Sequence, residues 1–152
     1  MMLCDYAVVA DGKLFISGGG WTVTGPDPSP SGIALLLEVP WDRTNTNISF
    51  KLTLVHQDGQ PVTQMGPLGQ PVPVEIGGDL EVGRPPGIRH GTPLPVPLAI
   101  NIPPLPLAPG ARYSWDLIVD GASEANWHLG FETRPVPPGY GDPGAVPPMP
   151  PL

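Results

Sequence analysis

Cysteine and charge are both scarce in this chain of 152 residues. Cys4 is the single cysteine, so an internal disulfide is impossible, and its place in an apolar run indicates a buried thiol in a reducing compartment. Charged residues make up 14% of the chain, against about 25% in an average protein. Large uncharged patches seldom stay exposed, so this surface favours coverage by copies of the chain or by another protein. We therefore expect a homo-oligomer.

Basic clusters, membrane spans and a secretory signal are also missing. The seven Lys and Arg are scattered singly and the net charge is −7, which works against binding to the phosphate backbone of a nucleic acid. No apolar run approaches the roughly 18 residues of a membrane span. The first residues carry no basic region, and Asp5 interrupts the apolar run there. The sequence predicts a cytoplasmic protein with no nucleic-acid partner and no membrane insertion.

Patterns of catalytic or metal-binding residues are equally hard to find. The serines lie in no GxSxG setting, and the glycine run Gly18 to Gly20 leads into another strand where a phosphate loop would need a helix. The histidines are far apart in sequence, which disfavours a metal site. The sequence thus indicates neither an enzyme nor a cofactor. An enzyme would require a concave pocket in which at least two of five side chains converge: His56, His90, His128, Asp116 and Glu132.

What the chain does have is proline, glycine and two-residue alternation. The 25 Pro and 20 Gly separate short apolar runs, which favours a β domain with many turns. The clearest alternation lies between Gly110 and Thr133 and predicts an antiparallel hairpin with a turn at 120–125. One face of that hairpin is apolar: Tyr113, Trp115, Leu117 and Val119 in the first strand, and Trp127, Leu129 and Phe131 in the second.

Turn dipeptides and prolines place the other strands. Asp11-Gly12 and Asp58-Gly59 favour the type I′ turns of hairpins. Gly18 to Gly20 predict a bulge, Gly77-Gly78 predict a bulge or a bend, and the run from Gly32 to Val39 predicts a strand buried on both faces. Prolines between Leu94 and Asn101 place that strand at a sheet edge. The sum is an all-β fold: one antiparallel β-sandwich over residues 1–134, immunoglobulin-like or C2-like, with about nine strands.

The last residues, 135–152, form a separate Pro/Gly-rich extended tail with too few apolar residues for a core. One interpretation is a flexible tail. The other is a polyproline-like arm that docks on a neighbouring copy or on another protein. Its anchors would be Tyr140, Val146, Met149 and Leu152.

Two further groups of residues suggest binding. The loop from Arg84 to Thr92 concentrates Arg84, Arg89 and His90 among stiff prolines, so it could take an anionic ligand or an acidic strip of a partner. An ordinary connection is the competing interpretation. Trp21, Trp41 and Trp127 could form a sugar-stacking platform, or they could belong to the core and to strand ends.

Several strings in the chain resemble a family of small bacterial proteins of unknown function that is common in actinobacteria. They are LCDYAVVADGKLFISGGGW, EVPW, EVGRPPG, GTPLPVPLAINIPPLPLAPG and YSWDLIVDG, and the similarity covers about Met1 to Thr133. The resemblance implies a bacterial, cytosolic, β-rich protein. It carries no activity, ligand or catalytic residue.

Taken together, these observations predict a non-enzymatic binding or structural subunit. It would associate with itself, or attach to a larger bacterial complex, through its edge strands and its proline-rich tail. The alternative is a β-sandwich module that binds a small ligand or a carbohydrate, which requires an exposed aromatic patch.

Overall fold

The computed structural model describes residues 1–27 and 29–139, and their regular structure is almost wholly β-strand. A single turn of 3-10 helix, Trp41–Arg43, joins the fifth and sixth strands. The strands are β1 (Met2–Cys4), β2 (Tyr6–Ala10), β3 (Lys13–Ser17), β4 (Val23–Thr24), β5 (Ser31–Val39), β6 (Asn47–His56), β7 (Thr63–Met65), β8 (Pro71–Pro73), β9 (Glu75–Glu81), β10 (Leu94–Ile102), β11 (Arg112–Val119) and β12 (His128–Thr133). The predicted all-β class is confirmed.

These strands form two larger sheets and two hairpins. One sheet has the order β1-β5-β10 and the other the order β4-β12-β11-β6-β9, while β2 pairs with β3 and β7 with β8. Every pair is antiparallel except β12 with β4, which is parallel. The expected count of about nine strands was too low, because several short segments pair in places that sequence alternation does not mark. No helix in residues 1–27 and 29–139 is long and apolar enough to cross a membrane.

The main core lies between the two larger sheets, because its side chains come from both. Leu3, Ile33 and Ile102 enter from the three-stranded sheet, and Leu52 and Trp115 enter from the five-stranded sheet. The strand alternation explains this arrangement, since every second residue of β6 and β11 points to the same side. Burying these large side chains is the dominant favourable term for folding.

The closing hairpin and the proline-edged strand are confirmed. β11 pairs with β12 in a register that sets Trp115 opposite Leu129, and the turn between them begins at Asp120 with a positive φ of 49°. β10, which carries Pro95 and Pro97, is an edge strand of its sheet. The strand predicted over 32–39 is present as β5, but it is buried on both faces only from Gly32 to Leu35, because Leu36 and Glu38 are exposed. Trp127 differs from its prediction, because it is half-buried beside the core instead of inside it.

Both predicted glycine bulges are wrong. Gly77 and Gly78 stand in the regular ladder between β9 and β6, and a Cβ on Gly77 would lie 2.7 Å from the carbonyl oxygen of Phe50. Close backbone approach, not a bulge, therefore requires glycine there. Gly18 and Gly20 have positive φ and follow the end of β3, where Gly20 N–H donates to Leu3 O at 2.7 Å. This glycine run turns the chain back toward β1.

The first predicted strand is divided at Asp5. Before Asp5 the chain pairs with β5, and after it the chain pairs with β3, so β2 and β3 form a two-stranded ribbon outside the larger sheets. The Asp11-Gly12 turn of this ribbon is confirmed, with positive φ at both residues (49° and 69°).

One side chain ties the ribbon to the three-stranded sheet. Asn101 on β10 donates from Nδ2 to the carbonyl of Ala7 at 2.8 Å, and its Oδ1 accepts from the Ala7 N–H at 3.1 Å. The amide of Asn101 thus takes the place of a peptide unit of a neighbouring strand. Beneath it, Gly32 leaves room, because a Cβ there would lie 3.0 Å from both Asn101 Oδ1 and the thiol of Cys4.

A second, smaller apolar cluster fills the space under the ribbon. Cys4, Ala7 and Ala34 are buried there, with Leu14 and Ala99 packed against them. Burial raises the pKa of the Cys4 thiol, and the negative charge of Asp5 raises it further. The predicted burial of this thiol is confirmed.

Candidate protein-interaction surface

The outward side of the ribbon is apolar and uncovered. Residues directly opposite each other share a face, so the pairs Tyr6 with Ser17 and Val8 with Phe15 lie on one side, and Ala7 with Ile16 on the other. Ala7 is buried against the sheet, so the first side points outward. Tyr6 is 56%, Val8 43% and Phe15 55% exposed. These three side chains are called the ribbon face. A contiguous exposed apolar patch of this kind is typical of an interaction site.

The outer edge of β3 has unused hydrogen-bonding groups. Asn101 binds both the N–H and the C=O of Ala7, so these groups point away from β3. Ala7 and Ile16 are therefore a non-hydrogen-bonded pair of the ribbon, and the N–H and C=O of Ile16 point outward at the opposite edge. Leu14, two residues earlier, points the same way. Within the described ranges no other group bonds to them. β3 is an open edge on which another strand can pair.

Charges of opposite sign stand at the two ends of β3. Lys13 begins the strand, and the Asp5 carboxylate lies against Gly18 just after its end. No salt bridge within the described part of the chain uses either of them. A strand that pairs antiparallel and carries the same two charges would bring each cation next to an anion.

The predicted binding loop is fixed to the 3-10 turn by one of its arginines. Arg84 donates from Nε to Thr44 Oγ1 at 2.6 Å and from Nη2 to Trp41 O at 3.0 Å, and its guanidinium lies 4.5 Å from the Trp41 ring centre. His90 contacts the same ring at 5.1 Å between centroids. Arg89 is exposed. Arg84 thus has a structural part in the loop, and the partner-binding role of Arg84, Arg89 and His90 stays a prediction.

Four predicted partner-binding residues cannot be placed. Tyr140, Val146, Met149 and Leu152 lie outside the described residues.

The three tryptophans proposed for sugar stacking have different surroundings. Trp21 packs edge-on against Phe131, Trp41 contacts Arg84 and His90, and Trp127 packs beside the core. No ring contact joins any two of these tryptophans in the ranges that the structure describes. Each of the three tryptophans is half-buried. Their contacts in the described part of the chain do not join them into one exposed surface. The ligand-binding alternative stays a prediction.

One pair of the residues required for an enzyme does come together. His128 Nδ1 lies 2.7 Å from Asp116 Oδ1, and Ser114 Oγ donates to that same oxygen at 2.7 Å. In a Ser-His-Asp triad the histidine stands between the other two and takes the serine proton. Here the carboxylate is in the middle, so Ser114 has no imidazole base in this cluster. The group lies on the open face of the five-stranded sheet, where His128 is exposed and Asp116 is half-buried.

The carboxylates on this face do not pair with one another. Asp116 contacts His128, Asp120 pairs with Arg43, and Glu132 pairs with Arg112. A glycosidase needs two carboxylates that flank one substrate bond. Among residues 1–27 and 29–139, no group of three or more His, Cys, Asp or Glu side chains could hold a metal ion.

The ribbon face was missed by the sequence reasoning, although a signal was present. The segments YAVVA and KLFIS are apolar at successive positions. In a hairpin with one solvent-exposed face, the residues of each strand alternate between apolar and polar. A hairpin that is apolar at successive positions must either be buried on both sides or leave an apolar side uncovered.

Comparison with known protein families gives one result. A protein-family model described as a family of unknown function, DUF6941, matches residues 1–132. This range agrees with the stretch that the sequence strings indicated. The searches of curated proteins and of solved structures found no match. Since the matched range covers nearly the whole described chain, the protein belongs to the family of unknown function DUF6941.

Proposed function

We propose that this protein is a non-enzymatic binding subunit of the bacterial cytoplasm that associates with a second copy of itself through β3. The observation that carries the proposal is the exposed ribbon face beside the unpaired edge of β3. Exposing an apolar strip beside unpaired backbone N–H and C=O groups is unfavourable in free energy, and pairing with another strand removes that exposure. The fold is proposed to be a β-sandwich with this ribbon added. The segment 135–152 is included as an attachment arm on its proline content alone.

The register of the pairing follows from the residues with outward groups. A two-fold axis through Phe15 sets Leu14 opposite Ile16 of the second copy, and both carry free N–H and C=O groups. Each of these two pairs can exchange two hydrogen bonds. Phe15 then lies opposite Phe15 of the second copy in a non-hydrogen-bonded pair, the kind of pair in which side chains are closest. Pairing at any register shifted by one residue would leave these groups unmatched.

Side chains support the same register. With Phe15 on the axis, the two Phe15 rings and the two Val8 side chains form one continuous apolar row across four strands. Lys13 comes next to Ser17 and the nearby Asp5 carboxylate of the second copy, so unlike charges meet at both ends. The arrangement is a closed two-fold dimer, which leaves no open β3 edge for further addition.

Substitution of Phe15 tests the proposal. In sedimentation equilibrium of the full chain, we expect a dimer for the natural sequence and a dissociation constant raised at least about tenfold by Phe15→Asp, because two like charges would stand directly opposite each other. Leu68→Asp is the matched control, since Leu68 is 90% exposed in a loop away from the ribbon. It should leave association unchanged. A natural chain that stays monomeric at about 100 µM, or equal effects of the two substitutions, would contradict the proposal.

A further inference from the structure

The outer edge of β9 is open along the whole strand. β9 is the last strand of the five-stranded sheet, and in the described residues it pairs with β6 alone. Leu54 N–H donates to Val74 O at 3.0 Å, so Leu54 and every second residue before it direct their backbone groups toward β9. Opposite them in the register stand Ile76, Gly78 and Leu80, which therefore bond to β6. The alternate residues direct their N–H and C=O groups away from β6: Glu75, Gly77, Asp79 and Glu81.

These outward backbone groups of β9 are unpaired, and solvent reaches them. Within residues 1–27 and 29–139, no hydrogen bond joins them to another group. Gly77 and Gly78 are both exposed, and because glycine has no side chain, this exposure is that of the backbone itself. β9 contains no proline, whereas β10, which lines a shallow groove with the end of β9, contains two. Proline protects an edge strand by removing donors, so β9 lacks the protection that β10 has.

The side of β9 that faces the core offers apolar contacts to an added strand. Ile76 packs against the main core and is half-buried, and so is Leu80 on the same face. Between them Gly78 has no side chain, and the ring of Phe50 from β6 lies 3.5 Å from the place of a Cβ there. Phe50 is itself half-buried. Apolar side chains of an added strand would cover the surface of these residues that stays exposed.

The opposite face of β9 is acidic. Glu75, Asp79 and Glu81 share it, with Gly77 in the same row. Lys51 pairs with Glu75 at 3.4 Å, whereas Asp79 and Glu81 form no salt bridge in the part of the chain that the structure describes. Two uncompensated negative charges thus stand beside the open edge. Pairing with β9 of a second copy would bring carboxylates together, so these charges disfavour self-association through this edge.

We propose that the edge of β9 binds an extended basic segment of another protein, which joins the five-stranded sheet as an antiparallel sixth strand. The residue of the segment opposite Gly77 exchanges two hydrogen bonds with it, and the residues opposite Glu75 and Asp79 do the same with theirs. The residues between them are apolar and point toward the core side, next to Ile76 and Phe50.

Charge and space identify the partner more closely. The residues opposite Glu81 and Asp79 share the outer face with these carboxylates, and the side chains that fit there are Lys or Arg. Gly77 leaves its own place on that face empty, so a large side chain fits opposite it. From its first residue, the recognised segment is therefore basic, apolar, basic, apolar, large, apolar. β9 and β3 belong to different sheets, so this inference holds whether or not the chain forms dimers.

Hydrogen exchange of the free protein is the first part of the test. In the ¹⁵N-labelled full chain, the protection factors of the Gly77 and Asp79 amides should be at least about tenfold lower than those of the Gly78 and Leu80 amides, which bond to β6. A protection factor compares each amide with its rate in an unfolded chain, which corrects for the fast intrinsic exchange of glycine. Equal protection of all four amides would mean that the edge is already occupied and would overturn the inference.

Titration with a designed peptide is the second part. The probe is acetyl-Lys-Val-Lys-Val-Tyr-Val-Thr-amide, in which Tyr stands opposite Gly77 and the two Lys stand opposite Glu81 and Asp79. We expect a dissociation constant of about 0.1–10 mM, with the largest chemical-shift changes at the amides of Gly77 and Asp79. No change in the spectrum at about 10 mM peptide would overturn the inference.

Backbone methylation of the probe separates strand pairing from attraction between charges. An N-methyl group on Tyr removes its donation to Gly77 O and should weaken binding at least about tenfold. The matched control carries the N-methyl group on the preceding Val, which lies opposite Gly78 and directs its N–H away from β9. Its dissociation constant should stay within about twofold of that of the probe. Equal effects of the two methyl groups would overturn the inference.

A charge exchange gives a gain of binding that loss of folding cannot imitate. Replacing both Lys of the probe by Glu should weaken binding to the natural chain at least about tenfold, and Asp79→Lys with Glu81→Lys should restore it. Both residues are exposed, so the variant should fold. The matched control is Glu38→Lys with Glu124→Lys, which makes the same change in net charge at exposed positions outside β9. Restoration by the control as well, or none by the variant of β9, would overturn the assigned polarity.

Discussion

Replacing Trp115 by alanine is expected to lower the free energy of unfolding by about 3–5 kcal/mol, which is the usual loss for a fully buried aromatic side chain. Trp115 is 2% exposed and packs at the centre of the core between the two larger sheets. Its removal leaves a cavity in a cluster to which both larger sheets contribute, and the paired strands cannot close that cavity without breaking register. A domain of this size has a total stability of about 5–15 kcal/mol, so the variant should be only marginally folded.

The measurement is guanidinium unfolding followed by far-ultraviolet circular dichroism, which does not depend on tryptophan fluorescence. Trp41→Ala is the matched control. Trp41 is half-buried outside the core clusters and contacts Arg84 and His90. Its loss should cost about 1 kcal/mol. The free energy of unfolding lost in Trp115→Phe should lie between the losses of these two variants. If Trp115→Ala and Trp41→Ala unfolded at the same denaturant concentration, the placement of the core between the sheets would be wrong.

Asn101→Ala is expected to release the ribbon from the three-stranded sheet. The substitution removes both hydrogen bonds to Ala7, whose backbone lies in the buried cluster under the ribbon. Leaving these peptide groups without partners costs about 2 kcal/mol. This value is below the cost for fully buried groups, because Asn101 is exposed and water can reach the site. This loss corresponds to a roughly 30-fold larger population of the open ribbon.

The thiol of Cys4 reports this opening. It is fully buried beneath the ribbon, and its raised pKa keeps it protonated and unreactive near neutral pH. Labelling of Cys4 by a thiol reagent should therefore be roughly 30-fold faster in Asn101→Ala than in the natural chain. Asn47→Ala is the control, because Asn47 bonds to Asp79 on an exposed strand pair. Equal labelling rates in the Asn101 and Asn47 variants would show that the Asn101 amide does not hold the ribbon.

Features that depend on neighbouring residues could be predicted from the sequence. The Asp11-Gly12 turn forms because both residues adopt positive φ, which is a local preference of those residue types. The β11–β12 hairpin follows from alternation on both sides of a short turn. Prolines at alternate positions of β10 removed donors on one edge, and this alone placed the strand at the border of its sheet.

Features that depend on distant residues could not be predicted. Asn101 and Ala7 are 94 positions apart, and nothing near either of them marks the contact. The first strand is divided at Asp5 because the residues before it pair with β5 and the residues after it pair with β3, and these two partners belong to different sheets. Sequence periodicity gives the side that a residue faces, but it does not give the strand that will lie beside it.

The central claim is that two copies pair through β3 with Phe15 on the axis, and disulfide formation tests it most directly. Opposed residues of a non-hydrogen-bonded antiparallel pair have Cα atoms about 4.5 Å apart, within the range that a disulfide allows. In a Cys4→Ala background, Phe15→Cys should form a covalent dimer under mild oxidation, and Leu68→Cys in the same background should stay largely monomeric. Cross-linking of Phe15→Cys no greater than that of Leu68→Cys would contradict the account.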